Sequence, residues 1–175
     1  MMTGAHFTLG ADAVTKRSER ELAVEHWLLS AAEDRRQARG DWSATGIAFL
    51  RCGGIFSAVS IPTALVQAAA SSQERARLDA YLTGALLGGP VIASTAAGLH
   101  YALVPPSTAR NWSVPETECL APGASLAVPA ADRDAYGTYW SVPMDSPGDL
   151  CVPAAVAQMA LYGVYRQLER RDAGE

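Results

Sequence analysis

GGPVIASTAAGLHYALVPP, residues 88–106, reads as strand, tight turn, strand. An apolar run at 90–93 meets turn residues at 94–98, and a second apolar run follows at 99–104. Pro105 and Pro106 close it, because proline has no N–H to give to a strand ladder. His100, one of three histidines, stands at the start of the second strand. A hairpin in the middle of the chain makes an antiparallel sheet the organising element.

Working outward, residues 74–87 carry Leu78, Tyr81, Leu82, Ala85 and Leu86 at helical spacing, and Gly88-Gly89 stops that helix. A shorter helix starts at Pro62, where the missing N–H costs nothing, and breaks at 71–74. Upstream, GIAFL (46–50) and IFSAVSI (55–61) read as strands, and Cys52-Gly53-Gly54 between them predicts a hairpin. Downstream, 107–118 is irregular, with Trp112 plugging a core edge. Strands follow at 124–128 and 138–142, with a polar loop at 130–137 between them, and 153–170 forms a closing helix.

At the other end, Ser18 and Glu21 make a capping box, so a helix is expected to begin at Ser18. The charged run 33–39 is its solvated end, Gly40 its C-cap and 41–44 a connector. His26, beside Trp27, reads as a surface or half-buried helix residue. The expected organisation is a flexible leader (1–17), one α+β domain (18–170) and a polar tail (171–175). The fold class is a mostly antiparallel sheet of hairpins flanked by helices.

With 49% hydrophobic and 18% charged residues, 175 residues suffice for one domain with a sizeable core. The net charge of -4 argues against a generic polyanion binder, while a local basic patch stays open. Thirteen of the fourteen basic residues are arginine. Cys52, Cys119 and Cys151 are odd in number and widely spaced, which argues against a disulfide framework or zinc site and for reduced thiols. The first twenty residues lack the basic start and apolar run of a signal peptide, and no stretch reaches the ~18 apolar residues of a membrane span. The expectation is a soluble, cytoplasmic protein.

Three segments resemble the N-terminal domain of bifunctional DNA primase/polymerases, of the archaeo-eukaryotic primase superfamily. GIAFLRCGGIFSAVSI resembles the family's first hairpin, whose second strand ends in an acidic metal-binding pair. GPVIASTAAGLHYALVPP resembles the hairpin whose histidine contacts nucleotide phosphate. GASLAVPAADRDAYGTYWSVP resembles the closing Gly/Pro/aromatic segment. Together they span about residues 46–143. The resemblance implies a primase-polymerase-like fold, a DNA-replication setting and His100 as the phosphate contact. Where the acidic pair should stand, this chain has Val59-Ser60-Ile61, which cannot supply the hard carboxylate oxygens Mg²⁺ needs. Ala97-Gly98 replaces the family's Gly-Gly. The chain therefore resembles a catalytically degenerate, stand-alone relative from high-GC bacteria, with no metal and no cofactor.

As a phosphate ligand, His100 would need a cation beside it, with Arg51 and Arg110 the candidates. Tyr101, Tyr139 and Trp140 are candidates for stacking on bases, with Tyr136 in the same region. Each also reads as an ordinary strand or loop residue. Asp132 and Asp134 read as a solvated turn or as relocated metal carboxylates; Asp145 and Asp149 fit turn chemistry. A Ser94/His100/Asp134 triad has no nucleophile elbow behind it. Cys119 or Cys151 acting with His100 would need an electropositive setting. The sequence reading is a non-catalytic binding module for nucleic acid, nucleotide or a replication or regulatory partner. Its rival is a protein-interaction or homodimeric structural domain, paired through a strand edge or the C-terminal helix.

Overall fold

The computed structural model describes residues 8–131 and 133–174. The fold is α+β, with every strand pair antiparallel. Seven strands form a two-stranded ribbon, β1 (Ile47–Arg51) with β6 (Ser125–Pro129), and a five-stranded sheet. The sheet's order is β5 (Glu118–Cys119), β2 (Ser57–Pro62), β4 (Leu99–Val104), β3 (Val91–Ser94), β7 (Thr138–Val142).

The sheet is buried on both faces. Ala58, Ile92 and Leu103 face a core shared with the ribbon, α1 (Thr8–Leu29) and α2 (Arg35–Thr45). Val59, Ile61, Val91, Ala102 and Val104 face a second core under α3 (Thr63–Ala70), α4 (Arg75–Ala85) and α5 (Pro153–Ala173). Alternate residues of one strand thus serve opposite cores, as the period of two requires. The β3–β4 hairpin has the expected form, with Ser94 pairing Leu99 around a turn at 95–98. In the second core α5 lies close against α3: a Cβ built on Gly163 would meet the Leu65 carbonyl oxygen at 2.6 Å.

Three local expectations are corrected. Ser18 caps nothing, because it lies inside α1, which already runs from Thr8; residues 1–7 of the expected leader lie outside the described residues. The charged run is not the end of that helix. The chain turns at Ser30–Ala32, where the Ala31 carbonyl accepts from Arg51 N of β1, and Asp34 then caps a new helix through Gln37 N at 3.1 Å. Gly40 is inside α2, and the left-handed C-cap is Gly46 (φ +80°). β1 and β2 form no hairpin. Ile47–Arg51 pairs along its length with Pro129–Ser125, and the Cys52–Gly54 turn carries the chain from the ribbon to the sheet.

Candidate binding groove

On β4, His100 is flanked by Ile61 of β2 and Ala93 of β3, and its side chain faces α3. Only 3% of the residue is exposed. Its Nδ1 lies 2.9 Å from Thr63 Oγ1, while Nε2 is buried with no hydrogen-bond partner. Burial pushes its pKa from 6.5 down to about 4, so the ring is neutral at neutral pH. Arg51 sits on the separate ribbon, its guanidinium 2.9 Å from Glu33. Arg110 ends a short 3-10 helix (Pro106–Arg110), beyond the end of β4 away from His100. The structure therefore does not gather the three anion candidates into one site. In the Val59-Ser60-Ile61 segment, where the resemblance implies an acidic pair, Val59 and Ile61 are fully buried under the helices, and Ser60 Oγ donates to the Glu118 carbonyl at 3.3 Å.

The stacking candidates separate as well. Tyr139 is 6% exposed, and its ring is covered by the Arg75 guanidinium, 3.3 Å from the centroid. Tyr101 is half-buried against the core under α1 and α2. Tyr136 is exposed at a loop tip with φ +55°. Trp140 lines a groove.

The polar candidates have other partners. Asp134 accepts from Arg75 at 2.9 Å and from Gly137 N at 3.0 Å; Asp132 lies outside the described residues. Ser94 accepts from Ala97 N, so Ser94, His100 and Asp134 are each engaged elsewhere. Cys151 donates to the Pro90 carbonyl, and burial pushes its thiol up to about 12. Cys119 contacts Ser57, and burial raises its thiol as well. Asp149 N closes a turn onto Ser146 O.

The groove has a volume of about 630 Å³ and opens between α1, α2 and the segment around β7. Its bed is apolar: Leu22, Leu28, Trp42, Trp140 and Met144. Trp42 Nε1 donates to the Val128 carbonyl and Trp140 Nε1 to the Pro129 carbonyl, both at 2.9 Å. With both N–H groups engaged, the indoles offer the groove only apolar surface. Leu22 is 51% exposed in this bed, an apolar side chain left uncovered on an otherwise charged stretch of α1.

Arg17, Arg20, Arg39 and Arg133 line the rim, with Glu21, Glu25 and Asp145 among them. Arg17 pairs with Glu21 along α1 at 3.3 Å. Arg39 of α2 lies 3.7 Å from Glu25 of α1, and Arg20 lies 3.8 Å from Asp145, joining opposite walls. All these groups are at least one-third exposed, so each pair contributes only ~0–1 kcal/mol and is readily exchanged.

Of the groove residues, the sequence reading offered Trp140 as a site candidate and placed Ser18 and Glu21 in a helix cap and Asp145 in a turn. It missed Trp42, Arg20 and Arg39. The available signal was Asp34-x-x-Gln37, a helix start that turns 41–44 from a connector into the end of an amphipathic helix. Among the described residues, no helix is long and apolar enough to cross a membrane. Compared with protein-family models, with curated proteins and with solved structures, the chain matches none.

Proposed function

We propose that this chain is a non-catalytic binding module that takes a segment of a partner protein into the groove between α1, α2 and β7. The observation that carries the reading is the combination in that groove: an apolar bed with its indole N–H groups already bonded, rimmed by arginines and carboxylates in weak, exchangeable pairs. Interleaved charges of both signs around an apolar strip suit a polypeptide. A nucleic acid is less well suited. Trp42 is only 7% exposed and offers no free face for a base.

Descent from a primase-polymerase-like ancestor is part of the proposal, supported by the β3–β4 hairpin that carries His100. The β1–β2 hairpin of that resemblance is missing, so we carry over neither the family's chemistry nor its nucleotide site. A replication or regulatory role and a cytoplasmic setting belong to the same proposal; the three unpaired thiols support the setting.

The test is selection of a random peptide library on the intact chain, with parallel selection on the Leu22→Gln variant. Leu22 is exposed, so the variant keeps the fold and loses groove surface. Peptides that bind the natural chain and lose affinity for the variant support the reading. Recovery of none, or equal binding to both, overturns it. Saturable binding of a thymidine oligonucleotide that is lost in Leu22→Gln would replace the protein segment with a nucleic acid.

A further inference from the structure

We infer that the outer face of α5 pairs with the α5 of a second copy of this chain, the two helices running antiparallel. The inference is independent of the groove, to which α5 contributes no lining residue. Its first ground is that α5 is apolar on two faces. Val156, Met159, Ala160 and Gly163 are buried against the protein. On the other side Leu161, Tyr162, Tyr165 and Leu168 are 44–56% exposed, four of the ten exposed large apolar side chains among the described residues. A helix lying on a domain needs one apolar stripe, for the core, and turns a polar face to water. A second apolar stripe marks a second partner.

The second ground is spacing. Ala154, Gln158, Leu161, Tyr165, Leu168 and Asp172 are all exposed and follow one another at alternating steps of four and three residues, the seam of a coiled coil. This seam maps onto itself when reversed. Against a second α5 running the other way, Leu161 meets Tyr165, Gln158 meets Leu168 and Ala154 meets Asp172. Every seam residue has an opposite, and the two central layers are Leu161 on Tyr165. The core already holds α5 as a helix, so pairing carries no cost of folding it.

The third ground is charge, which sets the direction. Residues 153–165 contain no Asp, Glu, Lys or Arg. Arg166 turns to α3, donating to Ser71 Oγ at 3.0 Å, and Arg170 lines the cleft beside that serine. Asp172 is the seam's one charge, with Glu169 and Arg171 of opposite sign on its flanks. A parallel pair would set Asp172 directly against Asp172, a like-charge contact that destabilises. The antiparallel pair sets it at the first turn of the other α5 instead. That turn has no acidic residue and no side-chain cap, and the helix dipole makes it positive. Both ends of the pair are thereby complementary.

The experiment is sedimentation velocity of the intact chain from low to high micromolar concentration, with three variants at exposed positions. One helix per copy is a small interface, so the natural chain should pass from monomer to dimer with a midpoint of ~1–100 μM. Leu161→Gln and Tyr165→Glu should each raise that midpoint at least ~10-fold. Asp172→Asn, which removes the charge from the partner helix's first turn, should raise it about 2- to 5-fold. A natural chain that stays monomeric throughout overturns the inference, as does a dimer indifferent to both Leu161→Gln and Tyr165→Glu. A tighter dimer in Asp172→Asn overturns the antiparallel direction. Binding of a monomeric chain to phosphatidylglycerol vesicles, lost in Tyr165→Glu, would give this face to a lipid surface instead.

Discussion

Trp42 of α2 and Trp140 of β7 donate their indole N–H groups to adjacent carbonyls of one strand, Val128 and Pro129, each at 2.9 Å. Two elements far apart in sequence are thereby fastened to the end of β6, and the space between them is the groove. The side chains that form its bed also hold its walls together.

Trp42→Phe keeps most of the buried ring but removes the indole N–H that the Val128 carbonyl accepts, while Val128 keeps its place opposite Ala48 in the β1–β6 ladder. Losing one buried hydrogen bond costs ~0.5–1.5 kcal/mol, so the variant should unfold at a correspondingly lower urea concentration. A loss below ~0.5 kcal/mol would mean that this bond does not anchor α2 to β6.

The buried histidine should make stability fall in mild acid. Unfolded, the ring takes a proton near 6.5; in the folded chain it does so at about 4. Above 6.5 both states are neutral and this group adds no pH dependence. As pH falls from 6.5 towards 4 the unfolded state binds the proton first, so stability drops, by on the order of 3 kcal/mol in all. His100→Gln should flatten that part of the stability–pH curve whatever its effect at neutral pH. An unchanged slope in the variant would show that His100 is not the group responsible.

Two glycines should respond with opposite sign. Gly40 lies inside α2 with nothing within 4 Å of an added Cβ, so Gly40→Ala should stabilise by about 0.5–1 kcal/mol. A left-handed C-cap at that position would instead be destabilised. Gly163→Ala places a methyl against the Leu65 carbonyl, forces α3 and α5 apart and should cost ~1–3 kcal/mol. Thermal unfolding of both variants checks the pair, and a stable Gly163→Ala would contradict the close α3–α5 packing.

The fold class was legible because its central hairpin is written locally: apolar runs, turn residues and a closing Pro-Pro all lie within 88–106. The β1–β2 pairing was not, because Gly-Gly between two strands fits a hairpin and a crossing between sheets equally well. The choice depends on β6, some seventy residues away, whose Ser125 pairs with Arg51. Ser18-x-x-Glu21 also fits a helix interior, where Arg17 and Glu21 make an i,i+4 pair. His100 drew interest as a polar residue on an apolar strand; only tertiary packing reveals that its face of the sheet lies under α3. The groove was illegible for the same reason, since its walls come from α1, α2 and residues beyond 128.

The central claim, that partners bind in the Trp42–Trp140 groove, is tested most directly by nuclear magnetic resonance of the 15N-labelled chain titrated with a peptide recovered on it. The chain has four indole N–H signals, from Trp27, Trp42, Trp112 and Trp140. The account predicts shifts at the indoles of Trp42 and Trp140 and at the backbone of Leu22 and Met144, with the Trp112 indole and the His100 amide unmoved. Shifts centred on His100, Thr63 or the exposed face of α5, with the Trp42 and Trp140 signals fixed, would contradict it.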